Sequence, residues 1–425
     1  MASLKESEQG ASEAARRRTL FTPFSALAEP DYRWIWSGQL AASIGRSMRS
    51  YLRLYLVYEL TGSAIWLGIV QGSLALPFLF LTFWGGVLAD RMDRRKLLIV
   101  TEVLLFFLWA GVSSFIIAGM INEWWLAIAA VASGTVQSFS RPARQALVPN
   151  VVSRQNLANA IALESTAQSG GTLIGPAIGG ILAAITFIDI GGAFLVTTLL
   201  QGYTALSLLF IEWKSQGEMA ARRQSAGRNF IDGLTYMRSD ALLMGLVMMG
   251  AAGSLFAGSY HSLLPVFAKD VLHVGRQELG LLVSTAGLGA ITGGLFTASL
   301  SHVKRRGLLL AIGGLGYAVG LLAFSQSTNF FFTMGLLLFI GSLNMLYTTV
   351  NNTILQLVAP EEMRGRIMGT RTFVFGLAPF GLVPMTALAE ATSASIAVGL
   401  GAALFAVALV LLLLMIPKLR SFSST

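Results

Sequence analysis

Cysteine is absent from the 425 residues, which excludes disulfides and thiolate metal sites and leaves the redox compartment unread. Charge is scarce as well. Asp, Glu, Lys and Arg fill 12% of positions, against about 25% in ordinary soluble domains, while hydrophobic residues fill 54%. A soluble chain of this length needs far more polar surface to cover its core, whereas a chain bathed in lipid needs apolar residues outside as well as inside. None of the six lysines follows a glycine, so the phosphate-cradling Gly-Lys pair is missing and nothing points to ATP as an energy source. There is no nucleophile elbow, metal-ligand cluster or pair of catalytic carboxylates, and the water-facing stretches are too short to build an active site, so neither an enzyme nor a cofactor is expected. The net charge of +9 does not gather on any polar domain, so nucleic acid is not the expected partner. The stretch ending in Arg16, Arg17 and Arg18 lacks the apolar core and cleavage site of a signal peptide and reads as a disordered cytoplasmic tail.

What the chain does have is apolar runs. Crossing about 30 Å of hydrocarbon takes about 20 mostly apolar residues in a helix, the one open-ended element that satisfies its own backbone there. Twelve segments meet that length, at 34–60, 64–89, 97–121, 124–139, 157–185, 191–211, 241–268, 279–301, 308–325, 330–357, 367–389 and 395–416. The expected fold is an all-α membrane protein of twelve transmembrane helices. Threaded alternately, these spans place every Lys and Arg on the side of the N-terminus, except Lys269 and Arg276 opposite and Arg46, Arg49 and Arg53 inside helix 1. Positive residues stay in the cytoplasm, so both termini are expected there.

The longest polar interruption, 212–240, divides the spans into two six-helix bundles, 34–211 and 241–416, between tails at 1–33 and 417–425. A shift of 211 positions brings Arg94, Arg95, Leu97 and Leu98 onto Arg305, Arg306, Leu308 and Leu309, and Gln145 and Pro149 onto Gln356 and Pro360. One offset that serves two loops indicates a duplication with parallel halves and a substrate site between them near mid-membrane.

The loop after helix 2 reads GGVLADRMDRRKLLIV from Gly85 to Val100. Gly86, Asp90, Arg91, Arg94, Arg95 and Lys96 resemble the Gly-x-x-x-Asp-Arg-x-Gly-Arg-Arg-Lys signature of the major facilitator superfamily, with Asp93 in place of the usual glycine. The resemblance implies the two-bundle transporter fold, in which Asp90 and Arg94 help latch the outward-facing state without touching substrate. The plainer reading is a positive-inside loop. Helix 5 carries Gly171, Gly175, Pro176, Gly179 and Gly180, which resemble the Gly-x-x-x-Gly-Pro-x-x-Gly-Gly motif of the antiporter branches. Small residues four apart allow close helix approach, and a mid-helix proline allows a kink where a helix must rock; simple packing is the competing account. The stretches Tyr58 to Gly68 and Arg141 to Leu163 are similar to the drug/proton antiporter branch that includes macrolide efflux proteins and enterobactin-type siderophore exporters.

Arg46, Arg49 and Arg53, spaced i, i+3, i+7, share one face of helix 1. At about 2.5 to 3.5 kcal/mol each near the bilayer centre they must face protein or water rather than lipid. Helix 1 lines the central cavity in the resembled superfamily, which implies an anion-binding stripe with Tyr51, Tyr55 and Tyr58 nearby; an internal ion-pair ladder is the alternative. Glu164 and Glu102 are the carboxylates well inside predicted spans. Glu164 is the better site of proton coupling, with cargo competing against it for the arginines, unless it is a fixed partner of Arg46 or Arg49. Glu102 is expected to pair with basic residues near the cytoplasmic end. His261 reads as a structural histidine. Gln71, Asn344, Tyr347 and Asn351 are polar positions in helices 2 and 10 that either face the cavity and substrate or join helices.

The sequence therefore points to a monomeric secondary transporter in the bacterial cytoplasmic (inner) membrane, exporting a small amphipathic or anionic organic molecule against inward proton flow. A lipid flippase or importer of the same fold, and a solute receptor that transports nothing, are the alternatives.

Overall fold

In the computed structural model, residues 24–212, 234–300, 302–363, 366–368 and 376–422 are described. Among them the secondary structure is helical throughout. The long helices, in chain order, are α1 (Pro30–Thr61), α2 (Ala64–Arg91), α3 (Arg94–Ile117), α4 (Glu123–Val151), α5 (Leu157–Ala184), α6 (Asp189–Ser207), α7 (Ala241–Val271), α8 (Arg276–Ser299), α9 (Arg306–Ser325), α10 (Phe330–Val358), α11 (Ala378–Ala391) and α12 (Ala394–Met415). Seven of them (α3, α6, α7, α8, α9, α10 and α12) are long and apolar enough to cross a membrane on length and composition alone.

Local chemistry sets the ends. Pro30 opens α1, where its missing N–H would have had no helical partner, and Gly62 closes it in the left-handed region at φ 61°. Asp93, the residue that departs from the loop signature, caps α3 by accepting the backbone N–H groups of Arg95 and Lys96 at 2.9 and 3.3 Å. Asn122, Asp240, Asn329 and Ser393 do the same for α4, α7, α10 and α12. α4 runs twelve residues past the span read from the sequence, through Pro142 and Pro149 to Val151. Its polar extension stays helical because its arginines find partners: Arg144 meets Glu102, and Arg141 lies over the Phe78 ring at 4.8 Å.

The packing repeats at the level of whole helices. In the first half α2 packs on α4, α1 on α5, and α3 on α4 and α6; in the second α8 packs on α10, α7 on α11, and α9 on α10 and α12. The halves meet chiefly through α5 with α8 and α2 with α11, and more lightly where α7 touches α1 and α2. The helix directions alternate, so the starts of α1, α3, α5, α7, α9 and α11 share one face with residues 24 and 422, where the described chain starts and stops. Contacts tie that terminal face together: Ala26 N–H donates to Asn159, Glu29 accepts from Ser153 and Asn156, Glu212 N–H donates to Asp31, and Gly307 N–H donates to the Phe422 carbonyl. The backbone N–H of Ser153 holds the Glu29 carboxyl below its ordinary pKa despite partial burial.

Candidate functional site

The first bundle holds a chain of buried charge. Arg49 donates to the Gln201 side-chain oxygen at 3.2 Å, the Gln201 amide donates to Glu102, and the other Glu102 oxygen accepts from Arg144 at 2.8 Å. The relay links α1, α6, α3 and α4, and the Arg49 guanidinium also lies 4.5 Å from the Trp109 ring centre. One turn further on, Arg53 donates to Gln71 of α2 at 2.9 Å. Arg49 and Arg53 are both buried. They turn into their own bundle, where their hydrogen-bond partners are glutamines rather than acids. Arg46 differs: it is half-buried, and no hydrogen bond or ion pair engages it among the described residues.

Glu102 is the only countercharge bonded to this relay among the described residues, so losing its charge leaves two guanidiniums buried without one. Glu102→Gln is expected to cost about 3–5 kcal/mol, the usual penalty for breaking a buried pair. A thermal unfolding scan of the purified variant checks it; an unchanged midpoint would mean that water already screens the relay.

Glu164 has a different environment. Its Oε1 is buried without a hydrogen-bond partner, and Arg46 and Arg144 are the cations within electrostatic reach. Both oxygens of Glu102 are engaged, whereas Glu164 has a free one. It can therefore bind or lose a proton, or accept a donor from a ligand, without breaking an existing bond.

Two cavities lie between helices. The first, about 120 Å³, is lined by Ser47, Ser50, Tyr51 and Leu54 of α1, Thr172 and Pro176 of α5, His261, Leu264 and Pro265 of α7, and Leu279 and Val283 of α8, so it lies on the seam between bundles. At about 100° per residue, the α1 positions lining it are about a third of a turn from the arginine strip, with Arg46 nearest. None of the residues assigned to substrate from the sequence lines it. His261, read there as structural, does. Serine, threonine and a lone histidine in apolar runs carry no periodic signal that would have marked them. The second cavity, about 190 Å³, lies within the second bundle and is lined by Gly250, Gly253, Ser254, Gly258, Tyr317, Asn344, Tyr347, Thr348 and Asn351. It gathers the three α10 positions picked out from the sequence.

The face opposite the termini is sealed across the bundles. Arg276, in the first turn of α8, donates to Glu59 at 3.1 Å, to the Ala183 carbonyl at 3.1 Å, to the Tyr55 hydroxyl at 3.3 Å and to Asp189, while its own carbonyl accepts from Tyr51. Tyr58 donates to Asp270, and Lys269 lies over the Tyr58 ring. Tyr55, expected near substrate, thus belongs to this seal, as do Tyr51 and Tyr58. Asp189 adopts the left-handed region at φ 50°, a conformation uncommon outside glycine that presents its carboxylate to Arg276. Half-exposed ion pairs of this kind are worth under about 1 kcal/mol each.

The α5 glycines make contacts both within the first bundle and across the seam. Gly171, Gly175 and Gly179 face α1: a Cβ on Gly175 would come within 2.7 Å of the Ile44 carbonyl and 2.9 Å of the Met48 nitrogen. Pro176 and Gly180 face α8 across the seam, where a Cβ on Gly280 would come within 2.6 Å of the Pro176 carbonyl. In the loop after α2, Arg95 donates to the Leu208 and Leu209 carbonyls at the end of α6, and Arg94 is engaged as well. The side chains of Asp90 and Arg91, and the surroundings of Gly86, lie outside the described residues.

Residues 21–425, which take in both bundles, match the family described as transmembrane secretion effector. The chain belongs to this family of major facilitator transporters. It is 26% identical over 391 residues to the enterobactin exporter EntS of Shigella boydii serotype 18, covering 87% of this chain and 85% of that one. It is 25% identical over 400 residues to the multidrug efflux pump Tap of Mycolicibacterium fortuitum, covering 90% and 94%. Among solved structures, a bacterial homologue of the human lysosomal transporter Spinster, inward-facing and unoccupied, superposes with a TM-score of 0.69 at 14% identity over 92% of this chain and 95% of that one. The nucleoside transporter NupG superposes at 0.72 with 11% identity, over 91% and 100%. These likenesses carry the fold. The family makes the chain a multi-span transporter of the bacterial inner membrane, and not an enzyme.

Proposed function

We propose that the chain is a proton-coupled exporter of small amphipathic organic anions, working by alternating access with all twelve helices across the membrane and the terminal face in the cytoplasm. The distribution of Lys and Arg supports that orientation. The sealed opposite face then makes this an inward-facing state, like that of the Spinster homologue. Export is what the enterobactin exporter and the multidrug efflux pump do, as their names state.

The observation that carries the reading is the free Glu164 oxygen beside Arg46 and Arg144. The sign of coupling constrains how it acts. A cargo anion that merely displaced the carboxylate from Arg46 would leave it ready to take up a proton, so cargo and proton would bind together; that is cotransport. Antiport requires exclusion. It follows if the cargo anion sits on Arg46 while a neighbouring hydroxyl or amine of the cargo donates to ionised Glu164. Protonation from outside takes away the charge that strengthens that bond and releases the cargo, and loss of the proton to the cytoplasm restores the site. The apolar remainder of the cargo occupies the seam cavity between α1 and α7, and Arg94 with Asp90 latches the alternate state.

The test uses inverted membrane vesicles, whose lumen corresponds to the outside, and a panel of anionic and cationic amphipathic dyes. Anionic dyes are expected to accumulate when the lumen is made acidic, and a protonophore should abolish this. Accumulation driven by an alkaline lumen would indicate an importer instead.

A further inference from the structure

The two bundles differ in electrical character. Among the described residues, the first buries Arg49, Arg53 and Glu102 and partly buries Arg46, Glu164 and Arg144; the cavity of the second bundle has no charged residue in its lining. That cavity is nonetheless rich in hydrogen-bonding groups, several of which have spare capacity. The Asn344 amide and the Ser254 hydroxyl make no side-chain hydrogen bond to the described protein, and Asn351 uses its amide nitrogen on the Leu246 carbonyl at 3.1 Å while its side-chain oxygen accepts none. The floor is aromatic: Tyr317 and Tyr347 each lie 5.6 Å from the Phe405 ring. On the α7 side the wall is a π-turn, Gly253–Ala257, in which the Gly258 N–H reaches back to the Gly253 carbonyl at 2.9 Å. Such turns are rare and recur at functional sites. Glycine at 253 keeps the cavity open, since a Cβ there would make only ordinary contacts, 3.5 Å to Tyr347 and 3.6 Å to Phe405.

Polar groups left unpaired in a concave, charge-free, ring-floored space favour a ligand that brings hydrogen bonds without charge, because an ion there would lose its hydration with no countercharge to replace it. We propose that this cavity is a second binding subsite, which takes an uncharged, ring-shaped, hydroxyl- or amide-bearing part of the cargo. The inference rests on the export reading for the word cargo. It divides the work: the first bundle handles the anion and the proton, and the second selects the neutral group.

The absence of cysteine makes the cavity directly addressable. Thr348→Cys, with Ser254→Cys as a second variant should the first fold poorly, is reacted with hydroxyethyl, sulfonatoethyl and trimethylammonioethyl methanethiosulfonates, each rate divided by that with a free thiol. The neutral reagent is expected to react at least tenfold faster than either charged one. p-Nitrophenyl β-D-glucoside, a neutral ring carrying hydroxyls, is expected to slow the neutral reaction at least fivefold, and Gly253→Val, which fills the cavity, to remove that protection. Equal rates for the three reagents, or no protection by the glucoside, would overturn the proposal. Labelling requires no transport, so that failure leaves the export reading standing, and a failure of dye accumulation leaves this one standing.

Discussion

Glu164→Gln is expected to reduce dye accumulation driven by an acidic vesicle lumen at least tenfold, while downhill equilibration of the same dye persists. Glutamine keeps the size but, like the protonated acid, offers only a neutral acceptor and cannot exchange a proton, so cargo binds weakly on both sides and its movement is no longer tied to the gradient. A second readout tests the sign. Binding of an accumulated dye to the purified protein in weak buffer should release protons in the wild type and none in Glu164→Gln. Proton uptake would show that cargo displaces the carboxylate, which is cotransport, and would refute the exporter. Full accumulation by Glu164→Gln would remove this residue from the coupling. Glu102 is not interchangeable with it, because both its oxygens are held by Arg144 and Gln201.

The second large effect is expected at the seam. Gly280→Leu places a side chain where even a Cβ would be 2.6 Å from the Pro176 carbonyl and 3.1 Å from the Gly180 Cα. Both atoms belong to the first bundle and Gly280 to the second, so the strain is relieved by holding the outer face open rather than by unfolding either bundle. The variant should insert, keep its unfolding midpoint within a few degrees, and lose at least tenfold in accumulation. Gly175→Leu is the contrasting case. Its clash, with the Ile44 carbonyl and Met48 nitrogen of α1, lies inside the first bundle where nothing is built to part. Overpacking of that kind typically costs about 1–3 kcal/mol and more where backbone is struck, so little folded protein should be recovered. If both variants behave alike, the motif on α5 has one structural job and not two.

Much of the architecture was legible in the sequence because its cause is compositional. Lipid outside and packing inside make seven of the long helices, among the described residues, apolar enough to span, and helices about 211 positions apart pack alike, as in α2 with α4 and α8 with α10. The extent of α4 was not legible. Arg141 and Arg144 read as loop residues until their partners Phe78 and Glu102, far away in the chain, are in place. The arginine strip on α1 was legible as a single face, but spacing within one helix cannot say towards what that face turns; Gln201, Trp109 and Gln71 fix it. The tyrosines at 51, 55 and 58 looked like companions of that strip because they are near in sequence, and they in fact meet Arg276 and Asp270 of the other bundle. The seam cavity was invisible for a different reason: Ser47, Ser50 and His261 acquire meaning only when α1 and α7 face each other.

The central claim is that a crevice between the bundles opens to one side of the membrane at a time. Ser50→Cys, on the seam cavity in a chain with no other cysteine, reads it directly when labelled with a membrane-impermeant maleimide in right-side-out and in inverted vesicles. The account predicts that the thiol reacts mainly from the cytoplasmic side at rest, and that Gly280→Leu in the same protein reverses the preference. A thiol reachable from one compartment alone in both proteins would contradict alternating access and the transport mechanism built on it.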